Sequence, residues 1–225
     1  MYWILFIGVA IASYIVQAIF QSRIEKASRI PMKGGLTGAQ VAEKMLRDNR
    51  INDVRVISTN GQLTDNFNPA NKTVNLSESV YGRSSVAAAA VAAHECGHAV
   101  QHATGYFPVR VRSALVPVVS FASKAVTWVL LAGIALVGIF PHLILVGIGL
   151  FALTTLFSFV TLPVEINASR RALAWLETSG LTDYSTRDEA ESALRAAAYT
   201  YVISALSSLA TLIYYILVFT GGRRN

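Results

Sequence analysis

The feature that most limits what this chain can fold into is a 52-residue tract, Ser113 to Val164, in which Lys124 is the only formal charge and His142 the only other titratable side chain. At about 1.5 Å per residue the tract is roughly 78 Å of helix, enough to cross a ~30 Å hydrocarbon core twice with a turn between. Pro141-His142 lies near its middle and supplies that turn, because proline lacks a backbone donor and disfavours helix in the residue before it. The expectation is a transmembrane helical hairpin over 113–164. Lys124 either snorkels to the headgroups or stands on a part of its helix that has left the membrane.

Two more segments read as spans. Tyr2 to Phe20 is 19 residues without a charge, and it has neither a basic residue ahead of it nor a small-x-small cleavage pattern behind it, so it reads as a retained anchor over 1–20. Tyr199 to Phe219 has tyrosines at both ends, where interfacial aromatics are favoured, and gives a C-terminal helix and short tail over 199–225. Overall the chain is 53% hydrophobic and only 14% charged, against roughly 25% charged in an ordinary soluble domain. Its surplus of six positive charges gathers beside the spans, so no nucleic-acid partner is expected. Arg23, Lys26, Arg29, Lys33, Arg110, Arg112, Arg170, Arg171 and Arg195 fall on one side of the four spans, with Arg223 and Arg224 opposing them. By the positive-inside rule the first side is cytoplasmic. The expected localisation is the cell membrane, multi-pass, with residues 21–112 and 165–198 inside the cell.

Residues 21–112 have the composition of a small folded domain. Thr37 to Asn49 carries a Thr N-cap and apolar residues at Val41, Met45 and Leu46, the spacing of an amphipathic helix. Asp53 to Ser58 and Thr73 to Ser77 alternate as strands do, separated by turn signals at Asn60-Gly61 and Asn68-Pro69-Ala70-Asn71. Ser84 to Thr104 is an alanine-rich helix with Ser caps. The fold class is therefore mainly α: a polytopic helical membrane protein with about four spans and a small α+β cytoplasmic domain.

Within the alanine-rich helix, His94-Glu95-Cys96-Gly97-His98 is an HExxH sequence. Histidines four apart stand one turn apart on one face, so both imidazoles can reach one zinc ion, and the glutamate between them can accept a proton from a metal-bound water. A third histidine of the longer metzincin pattern is excluded, because Gln101 stands where its glycine should be and Thr104 where its histidine should be. His102 lies too far along the helix and reads as support or packing. From Cys96 onward there is no Asp or Glu until Glu165, which leaves the third span just after Pro163 and returns to the domain side. Glu165 is the candidate third ligand; the bland alternative is a glutamate capping a helix start. Cys96, about 200° round the helix from the histidines, reads as a small core residue.

The pairing of HECGHAVQH with PVEINASRRAL, and LTDNFNP ahead of a TVNLS strand, resembles the neutral zinc membrane peptidases of the YugP type. More distantly it resembles the HtpX-like and CAAX-prenyl membrane proteases. The resemblance implies that the small α+β cytoplasmic domain is zincin-like, with zinc (Zn2+) held by His94, His98 and Glu165 and with Glu95 as general base. Ser169 stands where the HtpX-like pattern has an acid, so that acid's role is not carried over, while Asn66, Asn68 and Asn167 contribute no charge.

The function expected is that of a membrane-embedded zinc metalloendopeptidase, gluzincin-like, working at the cytoplasmic membrane surface with a zinc-bound water as nucleophile. Its partners would be the lipid bilayer and protein or peptide substrates, membrane proteins among them. Thr73, Val74, Asn75 and Leu76 are the expected edge strand on which an extended substrate would pair. The alternative is a non-catalytic zinc-binding scaffold or regulatory partner, which has no need of Glu95.

Overall fold

The computed structural model describes residues 2–136, 138–140 and 142–221. In chain order they form α1 (Tyr2–Ser28), α2 (Gly38–Asp48), β1 (Arg55–Thr59), β2 (Asn66–Asn68), β3 (Thr73–Ser77), α3 (Glu78–Tyr81), α4 (Val86–Ala103), α5 (Phe107–Ala135), α6 (His142–Thr178) and α7 (Tyr184–Gly221). The chain is mainly helical with one small sheet, and α1, α5, α6 and α7 are long and apolar enough to cross a membrane. These helices outrun the expected spans. At 37 residues, α6 is about 55 Å long, well beyond a ~30 Å hydrocarbon core. Pro141, Arg223 and Arg224 lie outside the described residues; α5 ends at Ala135 and His142 begins α6.

Contacts divide the chain into two units. The first takes in Met1–Ile15, Arg110–Leu162 and Tyr201–Asn225. Small residues bring its helices together: a Cβ on Gly133 would stand 3.0 Å from the Ile144 nitrogen, and one on Gly147 would meet the Leu130 side chain. Thr155 and Ser208 hydroxyls pair at 2.7 Å, and Phe6 meets Tyr214 edge-on at 5.0 Å.

The second unit comprises Val16–Val109 and Pro163–Thr200. Its α2 begins with a capping box: Thr37 Oγ1 accepts from the Gln40 amide while the Gln40 side chain accepts from the Thr37 amide, which satisfies two donors that a helix start leaves open. Val41, Met45 and Leu46 are buried along one face of α2, each such side chain contributing roughly 1.5–3 kcal/mol. Ser85 caps α4 by accepting from the Ala88 amide at 3.2 Å. Ala87–Ala90, Ala92 and Ala93 are all buried, so α4 is a central helix that needs small side chains for close packing. The indole of Trp175 on α6 donates to Asp48 at the end of α2 at 3.0 Å.

The sheet order is β1-β3-β2, with β1 parallel and β2 antiparallel to β3. This corrects the expectation for Thr73, Val74, Asn75 and Leu76. Their strand is central, its two edges already taken by β1 and β2, so no backbone donors remain for a substrate. Thr73, Val74 and Leu76 are buried, and Asn75 donates to the Asn66 side chain at 2.6 Å. The three-residue β2, hidden in the sequence beside a turn signal, is what displaces β3 from the edge.

Candidate metal centre

His94 and His98 stand one turn apart on α4, their rings edge to face with centroids 4.8 Å apart. Glu165 comes to them on α6, two residues past Pro163. Gly97 permits this approach: a Cβ there would stand 2.6 Å from the Ala168 carbonyl oxygen. The glycine between the two histidines is thus the point where the backbones of α4 and α6 nearly touch. Glu165 Oε2 lies 3.3 Å from His94 Nε2 and 3.4 Å from His98 Nε2, and one donor atom from each residue falls within 4.8 Å of the others.

The Glu165 separations of 3.3 and 3.4 Å fit zinc. Ligand atoms 2.0–2.2 Å from a tetrahedral ion are about 3.3–3.5 Å from one another, and two imidazoles with one carboxylate leave a fourth position open. All three side chains are well covered, Glu165 most of all at 4% side-chain exposure.

The imidazoles are oriented from behind. Gln101 is fully buried, and its Nε2 donates to the Val164 carbonyl at 2.7 Å and to Asn167 Oδ1 at 3.0 Å. With its nitrogen engaged, the Gln101 amide turns its oxygen to His98 Nδ1 at 3.0 Å. Nδ1 therefore carries the proton, leaving the Nε2 lone pair facing Glu165. Ser169 Oγ stands 3.1 Å from His94 Nδ1, within hydrogen-bonding reach, and steadies the orientation of the other imidazole. Asn167 Oδ1 also accepts from Arg171 Nε at 2.8 Å, and the Arg171 guanidinium lies over the Tyr106 ring. Sequence reasoning passed over Gln101 and Ser169, treating both as departures from longer patterns. Helical spacing was the available signal: Gln101 follows His98 by three residues, and Ser169 follows Glu165 by four.

Glu95 is buried at 8% exposure, and burial pushes its carboxyl above the usual range. His98 is raised too: burial opposes its charge, but the bond to Glu165 and the negative charges of Glu95 and Glu165 outweigh that. Cys96 faces away from the cluster, fully buried with Sγ 3.5 Å from the Ala42 oxygen, and burial pushes its thiol up. His102 packs edge-on against Phe67 at 5.9 Å, outside the cluster.

Residues 2–220 match a sequence family described as "Putative neutral zinc metallopeptidase". The chain is 39% identical over 223 residues to the "Putative membrane protease YugP" of Bacillus subtilis (strain 168), a match covering 97% of this chain and 98% of that protein. No solved structure matches significantly. Similar over nearly its whole length on both counts, the chain belongs to the neutral zinc metallopeptidase family, and zinc, that family's metal, is the ion that the His94, His98 and Glu165 atoms fit.

Proposed function

We propose that this membrane protein is a gluzincin-like endopeptidase, with the HExxH histidines and Glu165 as zinc ligands, that hydrolyses peptide bonds at the cytoplasmic surface of the cell membrane. The observation that carries this reading is the meeting of Glu165 with His94 and His98 at 3.3 and 3.4 Å, across 67 residues of sequence from the nearer histidine. Bound zinc supplies Lewis acidity and brings the pKa of a coordinated water near 7.

The chain's own residues do the rest. Glu95 takes the proton from the attacking water and returns it to the leaving amine. Its burial favours this task, since a carboxylate raised toward neutrality is a better base than an exposed one. Gln101 holds the His98 imidazole in the tautomer that presents Nε2, and Ser169 braces the ring of His94. An extended substrate pairs along the outer edge of β2, where the contact of Phe67 with His102 sets that strand beside α4; the substrates are proteins or peptides, membrane proteins included. The cytoplasmic assignment rests on the nine Lys and Arg residues flanking the spans on that side.

The test is cleavage of a peptide library by purified wild-type protein and Glu95→Gln, with zinc measured in both. Wild type should cleave, and Glu95→Gln should keep its zinc and lose at least about 10²-fold in rate, the low end of what general-base catalysis contributes. Equal cleavage by the variant would remove Glu95 as base. Zinc without cleavage in the wild type would favour the scaffold.

A further inference from the structure

Away from the metal centre, α1 and α7 border an open groove of about 350 Å³, within the range of about 300–1,000 Å³ common for ligand clefts. Its position along both helices is distinctive. Ile19 lies at the end of the uncharged run of α1, with Arg23 one turn further; Tyr199 opens the apolar run of α7, with Arg195 one turn before it. An apolar lip thus borders a pair of arginines at the level where each helix would leave the hydrocarbon. The groove continues past Arg195 to Glu191 and Asp188.

The charges are unequally engaged. Glu191 is held by Arg195 and Arg187, both at 3.5 Å. Arg23 is exposed and makes no ion pair among the described residues. Asp188 is exposed, its one ion pair among the described residues being a loose 3.8 Å approach of Arg187. A cation beside the apolar lip and an open carboxylate further out are complementary to a ligand with a phosphate next to its acyl chains and an ammonium beyond the phosphate. Arginine recognises phosphate by charge-assisted hydrogen bonds. A carboxylate can accept hydrogen bonds from a primary ammonium, whereas a quaternary ammonium has none to donate.

We propose that the α1/α7 groove binds the head group of an aminophospholipid, with its phosphate at Arg23 and Arg195, its ammonium at Asp188, and its acyl chains leaving past Ile19 and Tyr199. This site is independent of the peptidase reading and requires only that α1 and α7 cross a bilayer.

The experiment is native mass spectrometry of the full chain released from nanodiscs of equal phosphatidylethanolamine, phosphatidylglycerol and phosphatidylcholine. Wild type should retain phosphatidylethanolamine preferentially, and Arg23→Gln/Arg195→Gln should retain at least about tenfold less, as expected for losing two cation contacts at a membrane surface. Asp188→Asn, an exposed change that leaves the fold undisturbed, should abolish the preference for phosphatidylethanolamine over phosphatidylcholine. Preferential retention of phosphatidylglycerol, no selective retention by wild type, or no effect of Asp188→Asn would overturn the proposal. So would displacement of the lipid by inorganic phosphate, which would mark a free-phosphate pocket.

Discussion

At the scale of single residues, the candidate site depends on groups outside the cluster of His94, His98 and Glu165. Gln101 can present its oxygen to His98 only because Val164 O and Asn167 Oδ1 occupy its nitrogen. Gln101→Ala should therefore weaken zinc binding by about 10–100-fold, the usual cost of losing such a partner, as read by competition with a chelator. The same titration has a definite pH sign. Zinc requires neutral imidazole, and the metal-free protein holds the His98 pKa above its ordinary value. Affinity should fall on acidification from a higher pH than a free histidine would dictate, because proton and metal compete for Nε2. The pairing of His94 with His98 was legible because histidines four apart share one face of a helix. Glu165 was legible by elimination, as the first acid after a long acid-free stretch. Gln101 and Ser169 were not, because a neutral side chain has no spacing rule of its own until the helix facing it is known.

At the scale of elements, two helices, α4 and α6, build the candidate site. The close approach of α4 and α6 at Gly97 sets the distance at which Glu165 meets the histidines, and an added methyl there would press on the Ala168 carbonyl. Gly97→Ala should lower stability by about 1–3 kcal/mol through overpacking and weaken zinc binding as well, whereas Thr37→Ala at the α2 cap should cost about 1 kcal/mol and leave zinc affinity unchanged. Denaturation curves and chelator titrations on both variants check the contrast; equal zinc affinity in Gly97→Ala and wild type would show that helix spacing does not set the site. The helices were readable from periodicity and caps, and so was β3. Its place in the sheet was not. Strand order depends on pairing between segments, and β2, only Asn66–Asn68, is too short to show an alternating pattern.

At the scale of the whole molecule, the four long helices were legible because hydropathy accumulates over some twenty residues and tolerates local detail. Their ends were not, because α1, α6 and α7 continue as helix into polar sequence of the second unit. The proposed orientation rests on the distribution of Lys and Arg along the chain. His142→Cys should react with an impermeant maleimide added outside intact cells, against a quiet background from the fully buried Cys96. Labelling only after the cells are opened would reverse the orientation. Across the whole chain, the fold brings Glu165 to two histidines 67 and 71 residues earlier, and that meeting is the proposed zinc site. Metal analysis of purified wild type and Glu165→Ala tests it most directly: one zinc per wild-type chain and a large loss in the variant are predicted, and equal zinc in both would contradict it.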